Sequence, residues 1–202
     1  MLQKIIKKNN TGFTLVETLV GVTVFALVVS IAIGLFVHVL ESQRKALAYQ
    51  ELFDQTSFVM EYLTRGVRMA KRQRTATEPI SPQCIPVGHN YQLISPNHLR
   101  FIRHDRTAPF PHFICYEFRS RLVNNINRLE VSKDRGSTWA FLTSPRLEVT
   151  NLRFRVEGDG LQTPPEQPRV TIVLEVRGRE YGIGRRATIH LQTTVSQRDL
   201  DF

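Results

Sequence analysis

An unbroken apolar stretch occupies the first part of the chain. Between Thr18 and Leu40 there is no Asp, Glu, Lys or Arg. At about 1.5 Å per residue, a helix of these residues would be roughly 34 Å long, which is enough to cross a bilayer. Lys4, Lys7 and Lys8 precede the stretch with no acidic residue among them. The pattern therefore predicts one membrane span, with the N-terminus in the cytoplasm and the rest of the chain outside it.

Beyond Leu40 the pattern becomes that of a helix with one buried stripe, because apolar residues recur at intervals of three and four. They are Leu52, Val59, Leu63, Val67 and Ala70, with the weakly apolar Thr56 between the first two. No proline occurs before Pro79, so the sequence predicts a helix from Phe13 to about residue 73 whose second half lies on a globular domain. Basic residues crowd its predicted end, where cations favour the negative end of the helix dipole. They are Arg65, Arg68, Lys71, Arg72 and Arg74.

A proline-containing segment from Thr75 to Asn90 has no periodicity and is predicted to be a linker. After it, apolar and polar residues alternate as in strands with one buried and one wet face. The buried positions include Leu99, Phe101, Ile114, Tyr116, Phe118, Leu129, Val131, Val170, Ile172, Leu174, Val176 and the final strand Ile189 to Val195. The alternation changes phase at Thr150-Asn151, which predicts a bulge or turn. Together these patterns predict an α+β fold, with a long N-terminal helix packed on an antiparallel β-sheet domain.

The net charge and the two cysteines limit the range of possible functions further. The formal net charge of +9 becomes +6 without the three leader lysines, which is mild for a nucleic-acid binder. Cys84 and Cys115 both lie in the part predicted to be exported, where oxidation is possible. They form either a disulfide or two separate half-buried thiols.

Signatures of catalysis are absent from the sequence. No nucleophile elbow, phosphate-binding loop or dinucleotide fingerprint occurs. Four histidines of the exported part are loosely spaced and lack the paired helical spacing of a zinc site. They are His89, His98, His104 and His112. The sequence therefore predicts neither an enzyme nor a cofactor.

The hexapeptide GFTLVE, residues 12–17, joins the basic leader to the apolar stretch. It resembles the class III leader of type IV pilins and pseudopilins, and the resemblance extends in character to about residue 40. In that family a membrane-embedded aspartic peptidase cuts after the glycine and methylates the new N-terminal amine. A secretory signal peptide is the alternative, but its apolar region would span about 7–15 residues and end at a small-residue cleavage site. Here the run is longer and lacks such an exit before Glu41.

The resemblance implies a role for each residue of the motif. Cleavage would follow Gly12, and Phe13 would become the methylated N-terminus. Glu17 would neutralise the N-terminal amine of a neighbouring subunit during assembly. A lone carboxylate at the edge of a hydrocarbon span is costly and calls for a partner. The alternative is that Glu17 only extends to the membrane interface.

The resemblance also implies a domain organisation. Residues 1–12 would be a removed leader and 13–40 a transmembrane and polymerisation helix. Residues 41–74 would continue this helix as an amphipathic segment, and 75–202 would form an extracytoplasmic antiparallel β domain. The protein would sit in the inner membrane as a single-pass, N-in subunit and then enter a filament. Its partners would be other pilins, the prepilin peptidase and the inner-membrane assembly platform.

Among pilins, the chain is most similar to minor components of the J or W type. The strand-rich domain, the lack of a cysteine after Cys115 and the ending at residues 193–198 carry this similarity. The alternatives are the major filament subunit and a membrane-anchored extracellular binding protein for DNA or glycan. Arginines at alternating strand positions could make a basic face for DNA, or an ordinary charged exterior. They are Arg119, Arg121, Arg153, Arg155, Arg177 and Arg179.

The segment from Ser132 to Trp139 fits the S-x-D-x-G-x-T-W pattern of the Asp-box found in sialidases. It occurs once, whereas a propeller needs repeated blades, so glycosidase activity does not follow. The segment is predicted to be a hairpin turn in which Asp134 and Ser137 bond the backbone, Gly136 takes a positive φ and Trp139 covers the junction. Carbohydrate contact by Trp139 is the alternative.

Overall fold

The computed structural model describes residues 12–105, 112–160, 167–179 and 187–198, so the leader lysines lie outside the described residues. The described residues form one α-helix, α1 (Leu15–Arg68), followed by nine β-strands. The strands are β1 (Ala70–Lys71), β2 (Tyr91–Ser95), β3 (His98–His104), β4 (Phe113–Val123), β5 (Ile126–Ser132), β6 (Ala140–Phe141), β7 (Leu147–Glu157), β8 (Arg169–Gly178) and β9 (Thr188–Ser196). The predicted α+β class, a long apolar N-terminal helix followed by antiparallel strands, is confirmed.

Helix α1 ends earlier than the pattern predicts, at Arg68 and not near residue 73. Its last carbonyls find other donors, because the Tyr91 hydroxyl donates to the Val67 carbonyl at 2.8 Å and the Arg198 amide donates to the Arg68 carbonyl at 2.9 Å. The next residues, Ala70 and Lys71, pair with β3 as β1. Pairing with the sheet therefore replaces the last predicted helical turn.

The chain divides into two compact units, one ending at Ala46 and the other beginning at Leu47. In the first unit, every described side chain is exposed. The buried positions of α1 begin at Leu52 and continue with Thr56, Val59, Leu63, Gly66 and Val67. They follow the predicted three-and-four spacing, so the second half of the helix is amphipathic as expected.

The strands form two antiparallel sheets where the sequence predicted one. In the first sheet β3 pairs with β4 on one side and with both β1 and β2 on the other, and β5 and β6 follow β4. The second sheet has the order β7-β8-β9. The register of β7 against β8 shifts between Val149 and Asn151, which confirms the predicted phase change.

One hydrophobic core joins the helix and both sheets. It contains the buried stripe of α1 together with apolar residues of β2 to β5 and β7 to β9. Aromatic side chains form its centre, where the ring centroids of Phe101 and Phe118 lie 5.5 Å apart and those of Tyr62 and Phe118 lie 6.0 Å apart. Gly66 brings the helix close to these rings, because it has no Cβ to meet them.

The outer face of the first sheet is largely buried, whereas the alternation of apolar and polar residues predicted that it would be exposed to solvent. Cys115, Glu117 and Glu130 all lie at alternating polar positions, and all three are buried. Ile85 of the linker packs beside Ile102 and Cys115 on this face. Each buried carboxylate has an arginine partner, Arg100 for Glu117 and Arg119 for Glu130. The linker and the Ser132–Trp139 turn cover this face. The alternation of residues within a strand carries no information about such a cover, so the prediction of an exposed face was wrong.

Candidate functional site

The start of α1 contains the residues that the sequence singles out. Gly12, Phe13 and Thr14 precede the helix, which begins at Leu15. The Glu17 amide donates to the Thr14 hydroxyl at 3.3 Å, and the Thr18 amide donates to the Thr14 carbonyl at 3.2 Å. Thr14 is therefore the N-cap of the helix, and Glu17 lies in its first turn.

Sequence reasoning missed the role of Thr14. The pattern T-x-x-E immediately before an apolar run is a capping box, in which the third residue after the cap is acidic. Thr14 and Glu17 fit this pattern. A carboxylate in the first turn is also stabilised by the positive end of the helix dipole. Glu17 thus has a local reason to be acidic in addition to the one that the resemblance implies.

The fold itself gives no reason for glycine at position 12. A Cβ built on Gly12 would meet nothing within 4 Å. Packing in the described part of the chain therefore leaves room for a side chain at this position. The neighbouring Phe13 is 79% exposed. Packing within the described chain therefore does not explain why residue 12 is a glycine.

Within the described part of the chain, α1 is the helix long and apolar enough to cross a membrane. Its few hydroxyls donate to backbone carbonyls: Thr18 to Leu15 at 2.9 Å and Ser30 to Ala26 at 2.8 Å. Such bonds remove the cost of placing a polar group in hydrocarbon. The apolar half of the helix is therefore suited to a bilayer. Together with the motif, it indicates a membrane-anchored protein.

Cys84 and Cys115 are joined as a disulfide, with their Cα atoms 5.7 Å apart. The bond links the linker to the central strand β4, and both residues are buried. Gln73, which is fully buried, holds the same linker by donating through Nε2 to the carbonyls of Thr75 at 2.7 Å and Glu78 at 3.0 Å. The linker is thus fixed at both ends of its path across the sheet.

The Asp-box segment forms the predicted turn between β5 and β6. Asp134 accepts from the Thr138 amide at 2.8 Å, and the Ser137 hydroxyl donates to the Asp134 carbonyl at 2.9 Å. Gly136 has a φ of 78°. Hydrogen bonds from the Thr138 hydroxyl and amide and from the Ser132 hydroxyl lower the pKa of Asp134 to about 2. The mechanical interpretation of the motif is confirmed.

Trp139 is occupied by contacts within the chain. Its indole nitrogen donates to the Gly136 carbonyl at 2.9 Å. The Arg119 guanidinium lies 3.5 Å from the centre of its ring, and the His98 ring meets it edge-on with centroids 5.8 Å apart. These contacts favour a covering role for Trp139 over carbohydrate contact.

Two of the six strand arginines, Arg119 and Arg155, lie beside a carboxylate. Arg155 Nε lies 2.8 Å from Glu157 Oε1, and Arg119 Nε lies 2.8 Å from Glu130 Oε2. The arrangement is that of a mixed charged exterior, which attracts a polyanion less than a single-sign face does. Three histidines also have acidic partners, His98 with Glu117, His89 with Asp159 and His190 with Glu175. In the described ranges, His, Cys, Asp and Glu form no group of three that could hold a metal ion.

Comparison with known families identifies the N-terminal region. The family model described as the prokaryotic N-terminal methylation motif matches residues 7–33. This match covers 27 of the 202 residues, namely the hexapeptide and the helix as far as Ile33, and it supports a type IV pilin-like substrate of prepilin peptidase. No curated protein and no solved structure matches the chain. The match therefore indicates that the N-terminal region is similar to that of pilin-like structural subunits.

Proposed function

We propose that this chain is a minor pilin or pseudopilin, a non-enzymatic subunit of a type IV filament machine. The machine is a type IV pilus, a type II secretion pseudopilus or a competence pseudopilus. The observation that carries the proposal is Gly12, a glycine that the fold does not need, at the junction of a methylation motif and an exposed apolar helix. A peptidase that must come close to the backbone at its cleavage site would explain why residue 12 has no side chain.

In this proposal the leader is removed after Gly12 and the amine of Phe13 is methylated. The new positive charge then lies beside the positive end of the α1 dipole, which is unfavourable. Glu17 supplies a negative charge in the first turn of the same helix. When subunits pack, the carboxylate of one neutralises the amine of the next, and neither charge remains alone in the apolar phase.

The proposed location follows from the same elements. The leader stays in the cytoplasm, the first half of α1 crosses the inner membrane once, and the disulfide-bonded β domain lies outside, where oxidation is possible. Assembly then moves the subunit from the membrane into the filament. The domain division proposed from the sequence keeps its boundaries near residues 12 and 40, but the helical continuation ends at Arg68 and not at residue 74, because Ala70 and Lys71 already pair with the sheet.

Cleavage provides the test. Co-expression of the full chain with a prepilin peptidase should give a product that begins at Phe13. Gly12→Val should abolish cleavage, and Gly12→Ala should be far milder. Gly21→Val is the matched control, because Gly21 also has open space around it and lies in the same N-terminal region. A mature protein that begins at another residue, or full-length persistence, would overturn the assignment.

Abundance separates the minor subunit from the major one. Quantitative mass spectrometry of sheared filaments should find this chain at a small ratio to the major pilin, and a ratio near one would favour the major subunit. The third candidate, an anchored binding protein for DNA or glycan, would keep its leader. The assignment to the J or W type rests on the strand-rich domain and stays a proposal.

A further inference from the structure

A cleft of about 420 Å³ lies between β1, the start of the linker and the first residue of β4. Its volume is within the range of small-ligand sites. It is lined by Lys71, Arg72, Arg74, Thr77, Glu78, Pro79 and Phe113. The lining thus combines three cations with one carboxylate, one hydroxyl and two apolar side chains. The filament role proposed above makes no use of this site.

The cations are not where the sequence pattern placed them. The last turn of α1 contains Arg65 and Arg68, whereas Lys71, Arg72 and Arg74 lie beyond the helix end. The helix dipole falls off within the last turn, so it does not account for these three residues. Their common feature is the cleft.

The backbone that carries the cations is firmly held. Gln73, between Arg72 and Arg74, is fully buried, and its amide donates to the His89 carbonyl at 3.0 Å. The Arg72 side chain donates through Nε to the Gly88 carbonyl at 3.0 Å. All three cations interact with other groups of the chain, but a guanidinium has five N–H donors and an ammonium three, so a ligand contact is compatible with them.

Part of the lining of the cleft is apolar. Pro79 and Phe113 form this apolar wall, and the ring of His104 meets the Phe113 ring edge-on with centroids 5.3 Å apart. Phe113 is partly exposed, so part of its surface is open to solvent. A ligand that fills the cleft therefore combines negative charge with a flat apolar group.

We propose that this cleft binds single-stranded nucleic acid, one nucleotide at a time. The phosphate would contact Lys71, Arg72 and Arg74, and the base would pack on Phe113 and Pro79. Arginine suits phosphate because its planar fork binds two oxygens at once. A cationic groove beside an aromatic side chain is how proteins hold single strands without sequence preference.

Two competing ligands fit less well. A duplex keeps its bases stacked inside, so the apolar wall would have nothing to contact. An acidic peptide would satisfy the cations but leave Phe113 and Pro79 without a flat partner. The site is also separate from the strand arginines, two of which, Arg119 and Arg155, pair with carboxylates.

The test uses the full chain in detergent micelles and a labelled oligothymidine, with fluorescence anisotropy as the readout. Arg74→Ala removes an exposed cation and should weaken binding about tenfold and lower the salt slope by about 1. Phe113→Leu removes the aromatic face and should weaken binding about tenfold with an unchanged salt slope. Arg153→Ala, at an exposed position of β7, is the matched control and should bind like the wild type. Thermal melts of every variant verify folding.

Competition decides the ligand class. Unlabelled oligothymidine should displace the probe, while a DNA duplex and polyglutamate should do so at least tenfold more weakly. Equal displacement by polyglutamate would overturn the proposal in favour of an acidic polypeptide. Wild-type affinity of folded Arg74→Ala would also overturn it, and so would equal losses for Arg74→Ala and Arg153→Ala. None of these results depends on leader cleavage, so the filament role and this site fail independently.

Discussion

Gly66 and Phe118 approach each other so closely that a Cβ built on Gly66 would lie 3.1 Å from Phe118 Cζ. Phe118 is fully buried and is surrounded by Phe101, Tyr62 and Tyr116, so its ring has little room to move. The glycine thus sets the distance between α1 and the first sheet.

Gly66→Ala should therefore destabilise the domain, although alanine is the better helix former. The gain in helix propensity is about 1 kcal/mol and overpacking costs about 1–3 kcal/mol, so we expect a net loss of about 1 kcal/mol. Thermal or urea unfolding measures it. In the Phe118→Leu background the same change should cost less, because the ring that meets the new Cβ is gone. A Gly66→Ala single variant that is more stable than the wild type would contradict this prediction and show that the Phe118 ring can move away from the new Cβ.

Removal of the disulfide should lower stability substantially. Cys84 and Cys115 are 31 residues apart, and closing a loop of this size is worth about 3–4 kcal/mol in the chain-entropy model. The double variant Cys84→Ala, Cys115→Ala should unfold at a lower denaturant concentration than the oxidised wild type. Reductant should destabilise the wild type and leave the double variant unchanged. Two thiols that react in the native exported protein would contradict the bond.

Glu117 should make the domain acid-sensitive. Burial raises the pKa of this carboxyl, but hydrogen bonds from His98 at 2.7 Å and Arg100 at 2.9 Å outweigh it, so the pKa is lowered. A lowered folded-state pKa contributes stability that is present above the unfolded value of 4.5 and is lost as pH falls through the folded value.

Glu117→Gln should consequently cost stability at neutral pH and reduce the loss of stability on acidification below pH 4.5. Denaturant unfolding at several pH values measures both effects. Asp134, whose pKa is also lowered, remains in both proteins and cancels in the comparison. Parallel stability curves for the variant and the wild type would contradict this role of Glu117.

Thr14 and Glu17 can be separated by mutation. If Glu17 serves assembly, Glu17→Val should leave leader cleavage and membrane level near normal but reduce incorporation into filaments, with Glu17→Asp intermediate. Thr14→Ala removes the N-cap, worth about 1 kcal/mol, and keeps the carboxylate, so it should assemble far better than Glu17→Val. Crosslinking to filament neighbours measures incorporation. Equal defects in the two variants would show that Glu17 acts only through the helix end.

The sequence predicts those parts of the fold that depend on local periodicity. The stripe of α1 and the phase change at Thr150-Asn151 follow from spacing alone. The burial of Glu117 does not, because it depends on segments that are distant in sequence and cover the sheet. The cleft at Lys71 could not be predicted either, since it required the helix to end at Arg68. Thr14 was predictable, because its capping signal is local.

The end of α1 is completed by residues from the other end of the described chain. The Gln197 side chain donates through Nε2 to the Ala70 carbonyl at 2.9 Å and accepts through Oε1 from the Asn90 side chain at 2.7 Å. The backbone amide of Arg198 donates to the Arg68 carbonyl. These partners are separated by more than a hundred residues, so their contacts close long loops in the chain. Gln197 and Arg198 follow β9, so the carbonyls of Arg68 and Ala70 receive these hydrogen bonds only once that strand has been synthesised. A chain that stops before β9 leaves both carbonyls without these donors.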